Sequence, residues 1–162
     1  MKKYYVKCII IAFIIFMLFC LFVLISNSPK LIAYRNELVR VDSIYHSPPG
    51  LGAPHTTVIG QNRYGDEMGI WIQDNYIYNR KMIYKEYLNN GISREEVFDI
   101  LNEEELNNTS ELPIICFISS DGKYMNENSL YWIVPDAQNS FNEEYLIVNF
   151  YTGEIVDVRK RN

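Results

Sequence analysis

The chain has 162 residues and a formal charge of −5. Three of its 15 basic residues precede a long apolar run and no acid does, which leaves 12 basic against 20 acidic side chains beyond residue 26. That balance excludes nucleic acid, whose affinity rests on neutralised phosphates, and disfavours binding to anionic lipid.

The apolar run "CIIIAFIIFMLFCLFVLI", Cys8 to Ile25, has no polar interruption. As a helix it spans about 27 Å, close to the hydrocarbon thickness of a bilayer. Residues 8–26 are therefore predicted to form a transmembrane helix, with the bilayer as its partner. A cleaved signal peptide would have a shorter apolar run, and Pro29 would follow a cut at Ser26-Asn27-Ser28. A lipoprotein would need small residues around Cys20, which follows Met-Leu-Phe. Lys2, Lys3 and Lys7 crowd the first seven residues, whereas Lys30, Arg35 and Arg40 are spread out. This places residues 1–7 in the cytoplasm, with Tyr4 and Tyr5 at the inner interface, and the rest outside as a single-pass protein.

Ser28 is placed to cap a helix beginning at Pro29. Tyr34, Leu38, Val41 and Tyr45, spaced four, three and four, extend that helix to about Tyr45. The loop "HSPPGLGAPH" ends it. Thr57 to Gly60 reads as a strand, Asn62 to Glu67 as a turn, and Met68 to Gln73 as the returning strand. "YIYNRKMIYKEY" reads as a further strand. Asn89-Asn90-Gly91 is a turn, and Ser93 with Glu96 forms a capping box opening a helix whose buried face is Val97, Ile100 and Leu101. Glu95 and Glu96 suit its N-terminus.

"ELPIICFIS", "LYWIV", "EYLIVNFY" and "EIVDV" read as strands, separated by turns at Asp121-Gly122, Pro135-Asp136 and Thr152-Gly153-Glu154. Leu146, Val148 and Phe150 face one way, and Tyr145, Ile147, Asn149 and Tyr151 the other. "RKRN" is left as a solvated tail. The fold class is α+β, with a helix on one face of an antiparallel meander, twice over.

"GISREEVFDIL", "YWIV" and "YLIVNFYTGEIVDV" together resemble the PepSY-type domain. "VIGQNRYGDEMGIWI" resembles the glycine- and tryptophan-bearing hairpin of the TseB-like regulators of cell-wall elongation. The resemblance covers Val58 to Val158, and the anchor by layout. The loop "HSPPGLGAPH" and the long turn "VPDAQNSFNEE" depart from the pattern. The resemblance implies two PepSY-like units, residues 30–87 and 91–159, behind a bacterial membrane anchor, and an outer domain without a disulfide suits a Gram-positive surface. The resemblance also implies regulation of cell-wall elongation through a membrane or cell-wall protein such as a penicillin-binding protein. An inhibitor or immunity protein against a secreted peptidase or toxin is the second reading, and a cell-surface hydrolase the third.

The residues themselves offer little chemistry. His46 and His55 flank the Pro-Gly loop as exposed loop histidines, without the further ligands that a metal needs. Cys116 is framed by isoleucines and Phe117, the setting of a buried small apolar residue. No cysteine pair outside the apolar run can form a disulfide. Asp66-Glu67 and Glu103-Glu104-Glu105 are adjacent acids on a turn and a helix end, not carboxylates held across a cleft. No glycine-rich loop joins a strand to a helix. No catalytic, metal or cofactor residue is expected. The aromatics Trp71, Tyr76, Tyr78 and Tyr131 are the candidate partner-binding residues, since Trp and Tyr enrich binding hot spots. Tyr84 and Trp132 add to an aromatic-rich sheet.

Overall fold

The structure, a computed structural model, describes residues 2–48, 51–74, 79–104, 112–118, 129–135 and 144–160. Its first element, α1 (Lys2–Ser26), is one continuous helix. The stretch Ile9–Ser26 has a mean hydropathy of 3.3, buries none of its residues, and is long and apolar enough to cross a membrane. Asn27 and Ser28 alone separate it from α2 (Pro29–Arg35). The Ser28 hydroxyl accepts from the Leu31 N–H at 3.3 Å. Pro29 stands at the first helical position, where its missing N–H has no partner to lose.

The helix was expected to reach Tyr45 but ends at Arg35. Glu37 takes a positive φ of 85° and redirects the chain into β1 (Leu38–His46). The spacing of Leu38 and Val41 arises from irregular pairing instead. Register shifts fall between Leu38 and Arg40 and between Val41 and Ser43. Each bulge adds a residue to the strand. Leu38 and Val41 therefore reach the same face although three residues apart, and both pack against α2. Gly60 accommodates the first bulge, since a Cβ there would lie 1.9 Å from the Arg40 carbonyl oxygen.

β1 pairs with β2 (His55–Asn62), β2 with β3 (Glu67–Gln73), and β3 with β4 (Lys81–Tyr87), giving an antiparallel sheet in chain order. The expected strand residues Tyr76 and Tyr78 lie outside the described residues. Ile32 and Ala33 of α2 cover one face of this first sheet, over Val58, Ile70 and Ile72.

A short 3₁₀ turn (Leu88–Asn90) leads to α3 (Arg94–Glu103). The expected capping box is present: Ser93 Oγ accepts from the Glu96 N–H, and the Glu96 carboxylate accepts from the Ser93 N–H at 2.6 Å. Val97 and Leu101 are buried on α3, and Ile100 is half-buried.

β5 (Ile114–Ile118), β6 (Ser129–Pro135), β7 (Glu144–Asn149) and β8 (Ile155–Lys160) form the second sheet, again antiparallel and in chain order. Arg159 and Lys160 pair with Tyr145 and Glu144, so part of the expected tail is strand. The expected Asp121-Gly122 turn and the residues after Pro135 up to 143 lie outside the described residues.

Both faces of the second sheet are buried, which explains its nearly continuous apolar strands. Leu146, Val148 and Phe150 meet Val97 and Leu101 of α3. Tyr145 and Ile147 lie on the opposite face with Cys116, Ile118 and Ile133. Leu51, from the Pro-Gly loop after β1, covers that second face and is 3 % exposed. Leu51 of the loop that departs from the resembled pattern is thus part of the core.

Candidate functional site

The two sheets meet where β5, an edge strand of the second, lies on the uncovered face of the first. An edge strand leaves every other residue with an unpaired N–H and C=O, and burying such groups requires partners. Here side chains of the first sheet supply them. Tyr45 on β1 accepts from the Ile115 N–H at 3.0 Å, and its hydroxyl lies 3.1 Å from the Ile115 carbonyl, to which it donates. Thr57 on β2 and the Trp71 indole N–H on β3 reach the same carbonyl at 3.3 and 3.2 Å. Two residues along, the Phe117 N–H donates to His55 Nε2 at 3.3 Å. His55 Nε2 is therefore unprotonated, and Nδ1–H donates to the Ala53 carbonyl at 3.0 Å.

Burial fixes the protonation of these groups. It pushes the Tyr45 phenol well above its ordinary range. Burial also pushes His55 below its usual value, although the Ala53 carbonyl and Asp74 act the other way. The Cys116 thiol beside them is driven up by burial alone, which disfavours the thiolate needed of a nucleophile.

A second contact ties β4 to β5 and to the turn after β7. Tyr84 stacks on Phe117, ring centroids 5.0 Å apart. Glu86 accepts from the Tyr151 hydroxyl at 2.9 Å and from Asn90 at 2.7 Å. Partial burial pushes the Glu86 carboxyl up, but its bonds from Asn90, Tyr151, the Tyr87 N–H and Tyr84 outweigh this and hold it below the ordinary carboxylate range. Asn149 Oδ1 shapes the turn by accepting from the Tyr151 and Thr152 N–H groups, and Gly153 closes it at φ 73°.

Beside the junction lies an open cleft of about 520 Å³. Its floor includes Ile59, Ile92, Ile115 and Trp132, and its rim carries Asp42, Glu67, Arg94 and Glu95. That size falls within the range of about 300–1,000 Å³ seen for ligand sites. Trp132 is held there by its indole N–H on the Ile92 carbonyl, 3.2 Å. The Arg94 Nε is buried and has no hydrogen-bond partner among the described residues. Asp42 is already ion-paired with Arg40 at 2.7 Å, so an apolar floor with Glu67 and Glu95 above it suits a side chain of a basic protein segment.

Of the expected binding residues, the structure describes Trp71 and Tyr131. Trp71 is fully buried and serves the junction, and Tyr131, 6 % exposed, packs on the second face of the second sheet. Neither offers a surface in this arrangement. Tyr76 and Tyr78 lie outside the described residues. The Tyr45, His55 and Thr57 partners of β5 were not singled out as junction residues. His55, expected on an exposed loop, is 1 % exposed and begins β2. A hydrogen-bonding side chain inside an apolar strand was the signal available for all three.

The far end of the first sheet holds a trio of Thr, His and Asp. Thr56 Oγ1 donates to Asp74 and lies 2.9 Å from His46 Nδ1, while Arg80 Nε lies 3.0 Å from Asp74 Oδ1, off the hydrogen-bond line. Thr56 is fully buried and its proton points to the carboxylate rather than to a base, so the trio braces three strand ends. Among the described residues no three His, Cys, Asp or Glu side chains converge as metal ligands.

No protein-family model and no curated protein matches the chain in sequence. In structure the chain is similar to the YpmB protein from Bacillus subtilis. The two are 17 % identical with a TM-score of 0.59, over 83 % of this chain and 98 % of that one. The likeness shows a YpmB-like fold, and in this chain an N-terminal apolar helix stands ahead of antiparallel sheets with α+β packing.

Proposed function

We propose that this chain is a non-catalytic, membrane-anchored extracytoplasmic domain that binds another protein, and that it regulates cell-wall elongation beside a membrane-bound transpeptidase. In this reading α1 is the anchor, its N-terminus is cytoplasmic, and the two sheets with α2 and α3 are two PepSY-like units in tandem. The likeness of fold to YpmB supports a TseB-like arrangement, as do the sequence motifs around Gly60, Trp71 and Gly153. The observation that carries a binding role is the open cleft beside the junction, on a domain joined to the apolar helix through Asn27 and Ser28 alone. Such tethering confines the cleft to the membrane surface, where a raised effective concentration makes a weak contact sufficient.

Tagged full-length chain, crosslinked in intact membranes and isolated, tests the reading. It should bring down a transpeptidase, and deletion of the gene should alter cell width or elongation. Normal growth combined with sensitivity to a secreted toxin would replace the regulator with an immunity protein.

A further inference from the structure

The acidity of the chain is unevenly distributed, and the end of the first sheet next to α1 is basic and aromatic. Arg35, in the last turn of α2, reaches back to donate to the Ser26 carbonyl at 3.3 Å. Its guanidinium therefore sits level with the end of the apolar helix. The same arginine and Tyr34 line a groove of about 460 Å³ with Arg63, Tyr64 and Tyr87. Arg63 and Tyr64 form the tip of the β2–β3 turn, the Arg63 guanidinium lies 4.9 Å from the Tyr64 ring centre, and Tyr64 is 75 % exposed. Lys30 stands 5.8 Å from the ring centre of Tyr34.

Of the described acids at this end only Glu37 is ion-paired, while Asp66 and Glu67 stay exposed and charged against Arg35, Arg63 and Lys30. Lys85 holds Glu37 at 2.7 Å, Asn62 donates to Asp66 at 3.0 Å, and Glu67 lines the other cleft. Among the described residues neither Arg35 nor Arg63 nor Lys30 has a carboxylate within ion-pair distance. Tyrosines flanked by free cations, continuous with a membrane-length helix, match the composition of a membrane–water interface.

We propose that this end of the first sheet docks on anionic phospholipid headgroups, with Tyr64 in the interface and Arg35, Arg63 and Lys30 on the phosphates. The proposal rests on α1 being the anchor. Docking there fixes the tilt of the domain, and with it the direction of the cleft, relative to the membrane.

The test uses the full chain in vesicles of phosphatidylcholine with or without phosphatidylglycerol. Tryptophan reporters are introduced singly by Phe16→Trp, Tyr64→Trp and Lys81→Trp, and read against the constant signal of buried Trp71 and Trp132. Lys81 is the control because it lies at the opposite end of β4 from Tyr87. Lipids brominated near the headgroup should quench the reporter at 64 more strongly than the one at 81, and more so with phosphatidylglycerol present. Adding Arg63→Ala should lower the ratio of seated to unseated turn by about fivefold on the anionic vesicles. Equal quenching at 64 and 81, or no response to the anionic lipid, would overturn the proposal. The reporter at 16 separates the premises. If deep bromines quench it while 64 stays unquenched, docking alone fails. If they leave it bright, the anchor fails and docking with it.

Discussion

The Tyr45 hydroxyl lies 3.0 Å from the Ile115 amide nitrogen and 3.1 Å from the carbonyl oxygen of the same residue, across the join between the two sheets. One side chain thus takes the place of a neighbouring strand at that residue. Thr57 and Trp71 share the carbonyl, but the described structure gives the Ile115 N–H no other partner. Tyr45→Phe should leave that N–H buried and unsatisfied. The expected loss is about 1–3 kcal/mol, read as a lower unfolding midpoint in detergent. Thr57→Val should cost less, because the carbonyl keeps two donors. Equal losses would mean that the junction does not depend on Tyr45.

Acid should weaken the same junction through His55. Its folded pKa lies below the unfolded value of about 6.5, chiefly through burial, and its Nε2 must stay unprotonated to accept from Phe117. The unfolded chain therefore takes up a proton before the folded one does as pH falls. Stability contributed by neutral His55 is fully present above pH of about 6.5 and declines as the pH drops below it. His55→Gln keeps an acceptor near the Nε2 position and cannot titrate. Unfolding midpoints measured between neutral pH and about pH 5 should fall less steeply for this variant than for the natural chain. Parallel slopes would remove His55 as the cause.

The turn holding Thr152 and Gly153 has a specific seat. Ile92 N–H donates to the Phe150 carbonyl at 2.8 Å, and a Cβ on Gly91 would come within 2.4 Å of the Phe150 ring and 2.5 Å of that carbonyl oxygen. Gly91 has an extended backbone, φ −128°, so space and not conformation requires glycine. Gly91→Ala should lose about 1–3 kcal/mol by overpacking, detected in the same unfolding assay. It should also loosen Trp132, whose indole donates to the Ile92 carbonyl, giving a red shift of the folded-state emission. Wild-type stability and emission together would show that the turn yields freely.

The parts legible in the sequence are those where local chemistry and packing agree. The Ser28 and Ser93 caps, the two-sided strand of Leu146 and Ile147, and the Gly153 turn each follow from neighbouring residues alone. Leu38 and Val41 misled because a strand bulge brings them to one face of β1 at a helical spacing, whereas Tyr34 belongs to α2 and Tyr45 reaches β5 from the opposite face. The junction was hidden for another reason. That Tyr45, His55, Thr57 and Trp71 would serve one distant edge strand depends on how two sheets stack, which no local period encodes. Trp71 and Tyr131 were singled out for their chemistry, yet that same apolar bulk drew them into the core.

The central claim is that the acidic cleft beside this junction receives a membrane protein. Photo-crosslinkers placed one at a time at Asp42 and Glu95 on its rim, in the full chain in its native membrane, test it most directly; Lys81 on the far end of β4 serves as control. The account predicts that Asp42 and Glu95 both capture the same cell-wall protein and that Lys81 does not. Adducts no stronger at the rim than at Lys81 would contradict it.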